Sequence, residues 1–174
     1  MEQSIYFVGT LGLTETLEMI DNKGIRQRLE ERFPISFFRI FENIEEKQKI
    51  NLGISGLWPL VTGGFYPSLN EFPADDSFGF LIYLNRVPIL QETIEICEFL
   101  KINPYKTFSK DCYLLIPQIS QDQVGSREDE FKGKIIGKLT TSNEKILFRG
   151  EEKHYFHRTR ILINGERKDD VGSK

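Results

Sequence analysis

The sequence predicts an α/β (α+β) fold in which a mixed β-sheet is flanked by helices. Short runs of aromatic and β-branched residues, among them Ile5-Tyr6-Phe7-Val8 and Cys112-Tyr113-Leu114-Leu115-Ile116, recur between segments with helical spacing. Several of the connections reach the length that a crossover between strands requires. The 174 residues fit one domain, and 39% hydrophobic residues, with 14 phenylalanines, supply its core. A domain of this size buries roughly 70% of the surface its unfolded chain exposes.

The elements follow in order. Ile5–Val8 reads as a buried strand closed by the turn Gly9-Thr10-Leu11-Gly12. From Thr14, the apolar residues Leu17, Met19, Ile20, Ile25 and Leu29 fall near helical spacing, with a break at Asp21-Asn22-Lys23-Gly24. Pro34 opens the next helix, whose stripe is Ile35, Phe37, Phe38, Phe41 and Ile44 ahead of Glu45-Glu46-Lys47. Residues 50–58 alternate apolar with small or polar positions and predict a strand that enters the turn Thr62-Gly63-Gly64. Phe65 to Phe72 is then a short helix that tolerates Pro67 in its first turn, followed by a loop from Pro73 to Ser77. Phe78 to Leu84 is a strand. Pro88 starts the clearest helix, with Ile89, Ile94, Cys97 and Leu100 on one face. After Asn103-Pro104, residues 112–116 read as a central strand ended by Pro117, and 118–132 as a polar loop or frayed helix. Further strands are predicted at 134–139, 145–148 and 153–157. Ile161-Leu162-Ile163-Asn164-Gly165-Glu166 loosely repeats Ile146 to Glu151 as an extra strand, and the tail to Lys174 is expected to be disordered. Residues 1–160 are therefore read as one domain and 161–174 as its extra strand and tail.

Composition excludes several classes of function. A net charge of −3, with short basic clusters set beside Asp and Glu, gives no surface for nucleic acid. No apolar run approaches the ~20 residues needed to span a bilayer, so no membrane association is expected. Two cysteines, Cys97 and Cys112, make no disulfide framework, and no signal sequence opens the chain, which predicts a cytoplasmic protein.

The turn Thr62-Gly63-Gly64 carries the most chemistry. Glycines admit positive φ and let the backbone approach a ligand, while Thr62 offers a hydroxyl that can bind an anion or cap a helix beginning near Phe65. The same residues also make a purely structural helix-entry turn. Gly9-Thr10-Leu11-Gly12 lacks the Gly-Lys-Ser/Thr ending of a P-loop and is a weak phosphate motif.

The order of this turn, the Pro88-Ile89-Leu90-Gln91-Glu92-Thr93 helix and Lys101-Ile102-Asn103-Pro104-Tyr105 resembles the C-terminal domain of the aminoimidazole ribonucleotide (AIR) synthetase-related superfamily. Within it, the hydrogenase expression/formation (maturation) factor-like branch is most similar. Val8 to Leu13, Ile135 to Thr140 and Lys145 to Glu152 extend the resemblance, which runs from about residue 5 to about residue 156 and is weakest at 34–52 and 117–133. It implies a mixed sheet with helices packed on it, and an activity that in the family is ATP-dependent and draws most nucleotide and magnesium ligands from an N-terminal domain. That N-terminal ATP-binding domain is expected to be absent here.

Departures from the family pattern bear on chemistry. Leu60 stands where the maturation branch carries an aspartate, and Gly63 follows Thr62 without an intervening acid, so no carboxylate serves magnesium at this turn. Ser109-Lys110-Asp111 stands where the family has a Ser-Ser-Gly type turn. Ser109 joins Thr62, Gly63 and Gly64 as a candidate phosphate or anion contact, while the side chains after it oppose close backbone approach. His154 and His157 lie three apart with no further ligand at metal spacing, and the two cysteines read as core. The cysteine that accepts a carbamoyl group at the C-terminus of many maturation enzymes has no counterpart in Gly172-Ser173-Lys174.

The expected function is a stand-alone C-terminal-type domain acting as a non-catalytic binding or assembly module, with no catalytic residue and no metal site of its own. It needs no cofactor alone, and ATP and magnesium enter only with a partner domain. The alternative is one half of a split ATP-dependent phosphoryl-transfer enzyme whose other half is a separate ATP-binding domain protein. A third reading is a degenerate remnant that still folds. Homodimerisation through a surface patch of Phe37, Phe38, Phe41, Trp58, Phe65 and Tyr66 is a further expectation.

Overall fold

Strand β1 (Ser4–Val8) buries Ile5 and Phe7 in the main core and Tyr6 and Val8 in a smaller cluster with Leu115. Burial on both faces gives a continuous apolar run, which is why this strand is legible in the sequence. The computed structural model describes residues 3–42, 44, 56–72, 77–110, 112–117 and 133–157. The expectations for 45–55, for Pro73 to Asp76, for 118–132 and for the extra strand and tail lie outside the described residues.

Around β1 the described strands form a seven-stranded sheet in the order β2 (Leu57–Pro59), β4 (Tyr113–Leu115), β1, β5 (Lys134–Thr140), β3 (Gly79–Tyr83), β6 (Lys145–Arg149) and β7 (Glu152–Tyr155). Neighbours pair antiparallel except β3 and β6, which run parallel with Tyr83 opposite Phe148. The sheet is thus mixed, as predicted. The 112–116 strand is not central, however. It stands one place from the edge, because Leu57–Pro59 adds outside it.

Five α-helices are described. α1 (Leu13–Asp21) and α2 (Lys23–Glu30) meet at Asn22, whose side chain accepts from the amides of Gly24 and Ile25, each at 3.1 Å. This is an N-cap, and it explains the break read at 21–24. The region after Pro34 forms a 3-10 turn, Ile35–Phe38, that passes into α3 (Arg39–Glu42). α4 (Phe65–Glu71) lies on the sheet, burying Phe65 and Leu69 against Phe7, Phe80 and Leu114.

α5 (Gln91–Leu100) begins three residues later than the sequence indicates. Pro88 to Leu90 stays outside it because the Leu11 amide donates to the Pro88 carbonyl at 2.8 Å and Leu11 bridges Ile89 in a parallel sense. The inner face of the helix also differs from the one the sequence indicates. Thr93, Ile96 and Cys97 are buried, while Ile94 is partly exposed. A second core joins the helices through Leu13, Met19, Leu29, Phe38, Phe41 and Ile96.

The expected aromatic patch does not form on the surface. Phe38, Phe41 and Phe65 are buried, Phe37, Trp58 and Tyr66 are half-buried, and the six divide between the two cores. Intramolecular packing uses the apolar area that the sequence reading assigned to a partner. Phe33, in the bend after α2, stacks on Phe37 of the 3-10 turn at 4.3 Å, with Phe99 edge-on to Phe33. No helix among the described residues is long and apolar enough to cross a membrane.

Candidate functional site

The diglycine turn is held from inside the helix that follows it. The Gly64 amide donates to the Val61 carbonyl at 3.1 Å. Ser68, one turn into α4, accepts from the Val61 amide at 2.8 Å and donates to the Gly64 carbonyl at 2.7 Å. Thr62 is exposed and does not cap α4, whose N-cap is Gly64 with no side-chain cap bond. The capping expected of Thr62 is corrected accordingly: the Ser68 hydroxyl ties the turn instead. Serine at this helical position was not singled out in the sequence, since its role depends on the chain folding back onto residue 61.

Gly63 and Gly64 both take positive φ, 99° and 87°. Their surroundings differ. A Cβ on Gly64 would stand 2.5 Å from the Thr107 carbonyl oxygen and 2.9 Å from that of Tyr105, whereas one on Gly63 would meet only Pro67, with Cγ at 3.1 Å. Close backbone approach therefore occurs at Gly64, but the partner is the protein's own Asn103–Thr107 segment. Asn103 folds that segment by accepting from the Tyr105 amide at 3.0 Å, which sets a 3-10 turn over Pro104–Lys106.

Ser109 belongs to the continuation of the same strap. It is buried, and its Oγ accepts from the Gly12 amide at 2.7 Å. Beside it the Phe108 amide donates to the Glu15 carboxylate, and the Lys110 amide donates to Thr14 Oγ1 at 3.0 Å. Gly12 itself holds φ 79°, and a Cβ there would lie 2.9 Å from Thr107 Oγ1. The structure thus brings Ser109 to the Gly9–Gly12 turn and Thr107 to the diglycine turn. The candidate contacts are joined by one strap, with Ser109 engaged by the start of α1.

An open cleft of about 440 Å³ adjoins Gly63. Tyr66, Pro67 and Asn70 of α4 form one wall, Lys106 of the strap a second, and Phe156 and His157 after β7 a third. Tyr66 and Tyr105 lie 5.5 Å apart, and Tyr105 donates its hydroxyl to the Leu84 carbonyl at 3.0 Å. The Arg149 side chain, from the end of β6, lies near enough to the Tyr66 phenol for its charge to act on it. Burial raises the pKa of both tyrosines and the Arg149 charge partly offsets it, so at neutral pH both remain neutral phenols. The cleft is aromatic and amide on its walls and cationic at Lys106. Lys106 and Arg149 carried no motif in the sequence, and His157 was weighed there only with His154 as a metal ligand. They come from three separate elements that only the sheet order assembles.

His154 points elsewhere, making an exposed contact with Glu152 at 3.4 Å. Among the described residues no group of three or more His, Cys, Asp and Glu side chains is placed to hold a metal ion. Cys97 is buried beneath α1, and burial followed by the Glu15 charge pushes its thiol up to about 11. Stability from this group is complete below about 9, the ordinary value, and falls as pH rises through about 11. The native chain should accordingly resist alkylation at pH 8 at a site where the urea-unfolded chain reacts. Equal rates in the two states would contradict this burial.

Comparison with solved structures places the architecture. No family model matches the sequence, and a search of curated proteins finds no match. The fold is that of the AIR synthetase-related proteins. Among them, the hydrogenase maturation protein HypE from E. coli superposes with a TM-score of 0.61 at 15% identity, over 91% of this chain and 50% of that one. HypE in a HypE–HypF complex gives 0.56 at 16% identity, over 90% and 52%, and T. maritima PurL complexed with ADP gives 0.51 at 15%, over 99% and 27%. The chain spans about half the length of the HypE chains it matches. At such identities the likeness is one of fold.

Proposed function

We propose that residues 1–160 act as one C-terminal-type domain of the AIR synthetase-like fold that serves as a binding or assembly module without catalysing a reaction by itself. The packing of Gly64 onto the 105–107 backbone carries this reading. It makes half of the diglycine turn a structural joint and leaves Gly63 as the part that faces a cleft, with Thr62 exposed beside it. Among the described residues, those lining that cleft include no acid. They are suited to holding an anion, not to activating a nucleophile or binding magnesium.

The test is ATP hydrolysis by the purified 174-residue chain. Turnover is expected at the uncatalysed background, and a rate above background that disappears in Thr62→Ala would overturn the reading. The second reading, a half of a split ATP-dependent enzyme, is favoured by one observation: the HypE chains are about twice as long as the segment matched here. It requires a separate ATP-binding domain protein that co-purifies with this chain and confers ATP turnover on the mixture.

A further inference from the structure

One residue touches both glycine turns. Thr107 is fully buried, and its carbonyl oxygen lies 2.5 Å from where a Cβ on Gly64 would stand, while its Oγ1 lies 2.9 Å from the same point on Gly12. Both glycines hold positive φ, 87° and 79°, so each turn meets Thr107 with a surface that lacks a side chain. The turns open different helices, Gly64 at the start of α4 and Gly12 at the start of α1.

The strap that carries Thr107 is fastened at its far end to the first turn of α1. Phe108 and Glu15 bond twice: the Glu15 amide donates to the Phe108 carbonyl at 3.3 Å, and the Phe108 amide donates to the Glu15 carboxylate. The Gly12 amide reaches Ser109 Oγ, and the Lys110 amide reaches Thr14 Oγ1. Glu15 supplies the one charged acceptor in this latch, and a carboxylate holds an amide more strongly than a hydroxyl does. The near end of the strap builds the cleft, with Lys106 on its wall and Tyr105 behind Tyr66 at 5.5 Å. Along the chain, Thr107 alone separates these residues from the latch.

We propose that the 103–110 strap is a conformational coupler, in which the Glu15 latch at α1 sets the positions of Lys106 and the diglycine turn through Thr107, and release of the latch reshapes the cleft. Both ends are stiff. Thr16 Oγ1 donates to the Gly12 carbonyl at 2.7 Å, and Ser68 Oγ ties Val61 to Gly64, so a displaced strap carries the turns with it. Closely packed backbone has discrete arrangements rather than a continuous range, which makes such a strap either engaged or released. Glu15 is a positioning residue: it is not among the residues that line the cleft and acts on them through the strap. The inference goes beyond the binding-module reading and holds whether the cleft binds or reacts.

The test is hydrogen exchange and amide shifts of the full chain carrying Glu15→Ala. The amides of Gly64, Lys106 and Thr107 donate to the carbonyls of Val61, Asn103 and Pro104. Their exchange is expected to quicken about tenfold, and the Gly63 and Tyr66 amide resonances to move, while β3 and β6 keep their protection. Glu15→Gln keeps an acceptor without its charge, and is expected to give the same pattern at about a third of the effect, which also covers an alanine variant that does not fold. A purely local role for Glu15 would confine the changes to residues 12–16 and 108–110. A general loss of stability would quicken β3 and β6 by the same factor as Gly64. Either result overturns the proposal.

Discussion

Gly64→Ala is expected to destabilise the protein by roughly 3–5 kcal/mol, the sum of backbone strain and forced displacement of packed backbone. At φ 87° and ψ −150° Gly64 occupies a conformation that residues with a Cβ rarely adopt. The added methyl would also stand 2.5 Å from the Thr107 carbonyl oxygen, and its nearest neighbours are all backbone of residues 105–107, which leaves no flexible side chain to yield. Gly63→Ala is the informative comparison. It shares the positive φ, but its Cβ meets only the Pro67 ring at 3.1 Å, and a loss of about 1–2 kcal/mol is expected. Urea denaturation of the two variants measures the difference. Equal, small losses would mean that the strap does not press on the turn as described.

Phe65→Ala is the second large effect, expected at about 3–5 kcal/mol for a buried phenylalanine replaced by alanine. Phe65 is fully buried, with its ring 6.0 Å from Phe7, 6.2 Å from Tyr66 and 6.1 Å from Tyr105. It links strand β1 below to the two tyrosines above. Truncation therefore removes core volume and also releases the wall of the cleft. Denaturation together with near-ultraviolet circular dichroism should show both, and Phe65→Leu should recover much of the stability. A loss below about 1 kcal/mol for Phe65→Ala would place this side chain outside the core, since buried Phe truncations cost several times that.

The fold was largely legible because it rests on local patterns. Ile5–Val8, the β6 run Lys145–Arg149 and the punctuation at Asn22 and Pro34 state their structure in composition alone. The start of α5 did not, because the Leu11–Pro88 hydrogen bond that holds Pro88 outside the helix is a contact between residues far apart in sequence. The aromatic patch was misread for a similar reason. Apolar residues on a helix declare that a face is covered, but not whether the cover is another chain or the protein's own α1, α2 and α5.

The candidate site was legible in part. Thr62-Gly63-Gly64 announced a turn with positive φ, and the structure has one. What the turn approaches was hidden, since Thr107 lies more than forty residues away in sequence. Ser109 was chosen as an anion contact on its position in the order of motifs, and it is now seen accepting from the Gly12 amide across a separation of 97 residues. Lys106 and Arg149 had no signal at all, and His157 was weighed only with His154 as a metal ligand, because none sits in a pattern that points to this cleft.

By itself the sequence determined the fold class, the principal strands and helices, and the presence of a glycine-dependent turn ahead of a short helix. Each of these depends on preferences that act over a few residues: the alternation of a strand, the 3.6-residue period of a helix, and the freedom of a residue without a Cβ. The tertiary structure alone decided what surrounds that turn. Gly64 is committed to the 103–107 strap, while Gly63 opens on a cleft whose other walls arrive from α4, from Lys106 of the strap and from Phe156 and His157 beyond β7. The physical reason is that a site is made of distances between side chains, and those distances are set by strand order and core packing rather than by neighbours along the chain.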